Sequence, residues 1–303
     1  MIDLRQSEEG WLGLRAPAKV NLMLSVHGRR ADGFHELTSL VAPLAFGDEL
    51  EIRVNGLQAD TLASCGAEVP QDESNLVLRA ARLFREQSGR SECFDFRLEK
   101  RIPVGAGLGG GSSDAVAALK GMDALLGTGL GGGELRALAS SLGSDCPFFV
   151  DAAPVVMRGR GEVLEPLDPA ASRRLSGQAL VLFRPPFGVD TGWAYGRLAS
   201  SPELYESHAA AEGRLQAYYA GESWDQLLHN AFESIVGRKF LAIPCLLEIL
   251  RERGFKCMMS GSGSACFALV DHHEQAGAIN ELGRACWGPG MFWVETSLAD
   301  GKI

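Results

Sequence analysis

Apolar and polar positions alternate strictly along residues 14–26. Ala16, Ala18, Val20, Leu22 and Leu24 fall on one side of an extended segment, and Pro17, Lys19, Asn21 and Met23 on the other, because successive side chains of a strand point to opposite faces. The pattern predicts a strand with one buried face. Residues 27–37 follow as a polar loop, and residues 46–54 predict a second strand with Glu49, Glu51 and Arg53 on its polar side. Over residues 74–89 the period changes to that of an amphipathic helix, with Ser74 or Asn75 as its cap and Gly89 at its end. Residues 93–103 alternate again, with Phe94, Phe96 and Leu98 inward and Asp95, Arg97 and Glu99 outward. Such alternation belongs to antiparallel sheet with one wet face rather than to buried parallel sheet.

A helix is expected over 133–145, closed by Gly143, and a strand in the apolar segment 146–159. Residues 161–177 contain turn formers and no long periodic element, which marks a boundary between domains at 1–167 and 168–303. Beyond it the pattern predicts a strand at 178–185, helices near 208–220, 223–236 and 244–253, and a glycine-serine loop entering a strand over 258–271. The fold class is α+β with antiparallel sheet.

Composition narrows the function classes. The chain has 303 residues, 46% hydrophobic and 22% charged, enough for a core without disulfides or a structural metal. Its net charge of −9 argues against nucleic acid as a partner but leaves room for one nucleotide in a local pocket. The seven cysteines form no CxxC pair and read as small buried residues in a reducing compartment. Glu8 and Glu9 stand where a secretory signal would need basic residues, and no run approaches 18 apolar residues. No membrane is expected, and the cytoplasm is the default.

The chemistry concentrates in residues 102–119, IPVGAGLGGGSSDAVAAL. Glycine permits positive φ and close approach of a ligand to the backbone. Bare N–H groups at a helix start form an anion site, reinforced by the helix dipole. Ser112 and Ser113 add hydroxyls that can donate to phosphate, ligate a cation or cap the helix. No lysine precedes them, so this is not a Walker loop. Gly105, Gly107 and Gly110 spell GxGxxG, but after an alternating strand some 100 residues into the chain, which is the wrong setting for a dinucleotide fold.

That segment resembles the phosphate loop of the galactokinase, homoserine kinase, mevalonate kinase and phosphomevalonate kinase superfamily. With residues 16–37, 141–150 and 259–269, it is similar to the branch that phosphorylates 4-diphosphocytidyl-2-C-methyl-D-erythritol. The resemblance implies two domains, the first like ribosomal protein S5 domain 2 and the second ferredoxin-like, with ATP, Mg²⁺ and the cytidine diphosphate-linked substrate in the cleft between them. It implies Lys19 as catalytic lysine and Asp145 as general base. Pro103, Val104, Gly105, Ala106, Gly107, Leu108, Gly109, Gly110, Gly111, Ser112 and Ser113 would hold ATP, with Asn75 and Leu76 at the adenine. Asn21, Phe34, His35, Lys100, Thr191 and Tyr195 would meet the substrate, together with Asp145. Phe34 stands where the family usually has tyrosine, and Trp193 competes with Tyr195 as the second ring on the cytosine. Gly261 and Gly263 would let the second domain close. Plain alternatives exist for each: an exposed strand lysine, a turn aspartate, a packing aromatic, a helix-capping asparagine. A sibling kinase would have no use for the Phe34 and Tyr195 pair, and a non-catalytic nucleotide binder none for both Lys19 and Asp145. Monomer and homodimer both remain open.

Overall fold

The structure is a computed structural model that describes residues 5–6 and 10–299. Glu8 and Glu9, read above for a signal, lie outside the described residues.

Two sheets organise the chain. The first has eight strands and is built on the hairpin of Leu12–Arg29 and His35–Asn55. Cys93–Lys100 pairs with one half of His35–Asn55 and Val155–Gly159 with the other, both antiparallel. The second sheet is wholly antiparallel and runs Cys257–Met259, Cys266–Leu269, Ala179–Arg184, Phe292–Ser297. The helices Leu76–Ser88 and Gly110–Leu126 pack on each other, and the second also lies on the long hairpin. Asn75 caps the first of these by accepting from Val77 N, and Gly89 ends it in the left-handed region.

The first strand departs from its expected single buried face. Residues 16–26 are buried throughout. Bulges between Pro17 and Lys19 and between Asn21 and Met23 change which side each residue faces. Leu12, Leu14 and Ala16 therefore join one core with the helices, whereas Ala18, Val20 and Leu22 join another with Leu180, Leu182 and Phe267 of the second sheet. One strand thus ties both halves of the molecule together. Its continuation is also paired, in parallel, by His229–Asn230.

Other expectations change. The polar loop at 27–37 contracts to a turn at 31–34, because both strands run to its edges. The apolar segment 146–159 opens with the helical turn Phe148–Asp151 before the strand, since aromatics pack there as well from a helix as from a strand. The helix expected at 223–236 is interrupted by His229–Asn230, whose backbone is claimed by the first sheet. Residues 161–177 hold the strand Val163–Pro166 and the helix Pro169–Leu175. Four cysteines are buried, but Cys65, Cys245 and Cys286 are exposed; all seven are free thiols. No helix among the described residues is long and apolar enough to cross a membrane.

Candidate functional site: a cleft over the start of a helix

The bulges of the first strand put Lys19 and Asn21 at the floor of a cleft of about 1030 Å³. Lys19 is 5% exposed and donates from Nζ to Asn21 Oδ1 at 2.7 Å. The same Nζ lies 3.6 Å from Asp145 Oδ2, whose side chain is 45% exposed. Asn21 is itself fixed: its Nδ2 donates to Ser39 Oγ at 2.9 Å, and its backbone N–H to Ser260 Oγ at 3.2 Å. The amide oxygen is thereby aimed at Lys19, and the ammonium keeps capacity toward the cleft.

The glycine loop forms the wall above. Gly105, Gly107 and Gly109 all have positive φ. Gly109 is the N-cap of the helix Gly110–Leu126, with no side-chain cap. Ser112 and Ser113, read as caps or ligands, instead lie inside the first turn. Ser112 lines the cleft; Ser113 does not, and its hydroxyl, 1% exposed, has no partner among the described residues. The first helical N–H groups, at Gly110, Gly111 and Ser112, precede the first intrahelical bond, which Ser113 N makes to Gly109 O. Side chains at 109 and 110 would collide: a Cβ at Gly109 would sit 2.7 Å from the Phe149 ring and 3.1 Å from Lys19 Cγ, and one at Gly110 2.8 Å from Lys100 Nζ. The glycines thus let two lysines flank the helix start.

Lys100 has a different setting from the expected ligand contact. Its Nζ donates to Asp48 Oδ2 at 2.5 Å and to Asp114 Oδ2 at 2.6 Å, and all three side chains are buried. Two of its three donors are spent on protein. Asp48 also accepts from the backbone N–H groups of Arg101 and Ile102, which fixes the entry to the glycine loop. Burial, opposed by Lys100 and reinforced by Asp48, pushes the Asp114 carboxyl up to about 8.

Asn75 and Leu76 line the cleft, but the Asn75 amide is engaged at both ends, accepting from Val77 N and donating to Pro70 O at 2.7 Å. Its helix-cap alternative is the one observed for the side chain. Pro103, Val104, Ala106 and Leu108 also border the cleft.

At the far end stand rings. Phe34 is 48% exposed. His35 packs against Tyr195 with ring centroids 5.1 Å apart, and Tyr195 meets Phe232 edge-on at 4.7 Å. Burial, then the charge of Arg29, lowers the His35 pKa, and its Nε2 has no partner among the described residues. Burial raises that of the Tyr195 hydroxyl. Tyr195 lines the cleft, whereas Trp193 packs edge-on to Phe240 under Lys239 and does not. Thr191 Oγ1 bonds Ser262 Oγ at 2.9 Å. Gly261 and Gly263 belong to a loop that abuts the first glycine loop: a Cβ at Gly107 would meet Ser260 O at 2.4 Å, and Ala265 N donates to Ala106 O at 3.1 Å. Gly261 serves this backbone contact, since a Cβ there would sit 3.0 Å from Gly107 O, whereas a Cβ at Gly263 would meet Met259 Sδ at 2.6 Å. Sequence reasoning missed Ser39, Ser260, Asp48 and Asp114, which act through other residues, and Arg160 at the cleft mouth; only the presence of a polar residue in an apolar strand signalled Ser39.

Comparison with known proteins agrees with this architecture. Residues 75–159 match the GHMP kinases N terminal domain and residues 213–287 the GHMP kinases C terminal family. A 4-diphosphocytidyl-2-C-methyl-D-erythritol kinase of Methylacidiphilum infernorum is 36% identical over 93% of this chain and 96% of its own length. One of Pelotomaculum thermopropionicum is 39% identical over 86% and 90%. A crystal structure of 4-(cytidine 5′-diphospho)-2C-methyl-D-erythritol kinase superposes with a TM-score of 0.75 at 36% identity, over 94% of this chain and 99% of that one. A homoserine kinase from Cytophaga hutchinsonii has the same TM-score at 19% identity and shares the fold. The two-domain α+β kinase fold is therefore that of the GHMP kinases, and the chain belongs to the 4-diphosphocytidyl-2-C-methyl-D-erythritol kinase family.

Proposed function

We propose that the chain transfers the γ-phosphoryl group of ATP to the 2-hydroxyl of 4-diphosphocytidyl-2-C-methyl-D-erythritol, a step toward isoprenoid precursors that bypasses mevalonate. The observation that carries this reading is one cleft holding the Lys19–Asp145 pair, an open helix start and a wall of rings. The triphosphate lies along 103–112 against the free N–H groups, with the base toward Asn75 and Leu76. The cytosine lies between Phe34 and Tyr195, with the unpartnered His35 Nε2 at its edge. Asp145 accepts the hydroxyl proton while that oxygen bonds to the γ-phosphorus and the bond to the leaving ADP oxygen breaks. Lys19, positioned by Asn21, offsets the charge spread over the phosphoryl oxygens. Because such a transition state is loose, alignment by Asn21 and the helix start contributes as much as proton removal. Division into functional halves at 167/168, and a cytoplasmic setting, belong to the same proposal.

Mg²⁺ fits this site only as an ion carried by the substrate phosphates. Among the described residues no three acids, histidines or cysteines converge. Mg²⁺ commonly takes one or two protein oxygens and leaves the rest to phosphate and water. The Ser112 hydroxyl is the cleft group that would hold it, in place of the withdrawn Ser113. Bound there, it would neutralise phosphate charge.

The test is ATP consumption with Mg²⁺ and the cytidyl substrate, beside homoserine and mevalonate, in the wild type and Asp145→Asn. Turnover is expected with the cytidyl compound alone, falling about 10²–10⁴-fold in the variant. Turnover with mevalonate or homoserine instead would replace this reading with a sibling kinase.

A further inference from the structure

Arg160 sits at the tip of a turn that is built to present it. The turn joins the strands Val155–Gly159 and Val163–Pro166. Gly159 and Gly161, on either side, have φ of 69° and 109°. Gly161 N closes the turn on Arg158 O at 3.1 Å, and a Cβ at Gly159 would strike the Glu162 carboxylate at 2.6 Å. Glu162, the acid closest in sequence, spends Oε2 on the Arg160 backbone N–H at 2.6 Å rather than on its guanidinium. Arg158, two residues earlier, is paired with Glu165 and Glu212. Arg160 has no ion pair among the described residues.

Its guanidinium carbon lies 4.7 Å over the Phe34 ring, and both side chains border the cleft. Phe34 is held by a second turn: its N–H donates to Asp32 Oδ1 at 3.1 Å, and its carbonyl accepts from Arg30 N at 2.7 Å. Asp32 feels the charge of Arg160 but is bonded to Arg30. Two fixed turns thus hold an aromatic face and an unneutralised cation together at the cleft mouth, in a chain of net charge −9. An unpaired guanidinium in that setting is suited to an anion, and its planar donor fork matches phosphate oxygens.

We propose that Arg160, resting on Phe34, binds the diphosphate of the cytidyl substrate. The inference rests on the cytidyl reading of the cleft. Arg160 would then govern acceptor binding and discriminate a nucleoside diphosphate from the free nucleoside, without a part in proton transfer.

The test is calorimetric titration of CDP and of cytidine, with ADP saturating the other nucleotide position, into the wild type, Arg160→Ala and Arg160→Lys. Thermal unfolding checks that each variant is folded. Arg160→Ala should weaken CDP about 10- to 100-fold, cytidine by less than about threefold and ADP not at all, and Arg160→Lys should recover part of the loss. In turnover, the KM of the cytidyl substrate should rise in Arg160→Ala while kcat holds. CDP binding within about twofold of wild type would overturn the proposal, and so would equal losses for CDP and cytidine, which would put the guanidinium on the base. A wild type that binds neither would overturn the cytidyl reading itself, and this inference with it.

Discussion

Lys19 and Lys100 are buried alike, 5% and 4% exposed, and both border the cleft at the helix start. They differ in how their charge is answered. Lys100 meets two carboxyl groups that are themselves buried, so its charge is answered on the spot. Lys19 meets a neutral amide oxygen and, farther off, a carboxylate that is 45% exposed to the cleft. Burying an ammonium is costly, and the close carboxyl pair of Asp48 and Asp114 offsets that cost for Lys100. For Lys19 the offset is incomplete until an anion arrives. Burial therefore does not separate a structural lysine from one available to a substrate; the placement of the counter-charge does.

The largest effect should come from removing the available pair. Lys19→Met should lower kcat about 10²–10⁴-fold, and combining it with Asp145→Asn should cost little more than either alone, because the two act as one unit. Additive losses in single-turnover rates would break the contrast by making Lys19 independent of Asp145. Next in size is Lys100→Met, which leaves the two buried carboxyl groups of Asp48 and Asp114 without their partner. Its signature should be a stability loss of about 3–5 kcal/mol in urea unfolding. A variant of unchanged stability but abolished turnover would mean that Lys100 belongs with Lys19.

The smallest effect concerns pH. Burial keeps the Asp114 carboxyl protonated up to about 8 in the folded state, against 3.8 for the free group. Between these values the folded state binds the extra proton, so this group's contribution to stability falls as pH rises and levels off above about 8. Asp114→Asn should remove that fall: the stability difference between wild type and variant should shift in the variant's favour from pH 5 to 8. Parallel curves would show that the proton resides elsewhere in the cluster.

Much of the fold was legible because its signals are local. The helix Leu76–Ser88, with Asn75 before it and Gly89 after it, could be read from cap, period and terminator. So could the strand Cys93–Lys100, whose inward phenylalanines are buried as the alternation required. The helical turn at Phe148–Asp151 was not legible, because a short apolar run fits either period. Nor was the break at His229–Asn230, which exists because a strand more than 200 residues away in sequence takes up its backbone. In the site, glycines before a helix announced an anion, since the requirement for bare backbone is written in residue type. The fate of Lys100 was hidden, because Asp48 and Asp114 lie 52 and 14 residues away and only packing brings them to it.

The sequence by itself determined the α+β class, the anion-binding helix start and, through its resemblance to a family, the residues to watch. Those follow from periodicity, from glycine's lack of a side chain and from recurring motifs. The tertiary structure decided which side of a strand each residue serves, because bulges divide Leu12–Arg29 between two cores. It also decided that Tyr195 and not Trp193 faces the cleft, and which lysine is left with capacity for a ligand. Each of these depends on distances between groups remote in the chain, and such distances are fixed only when the second sheet packs against Leu12–Arg29 of the first.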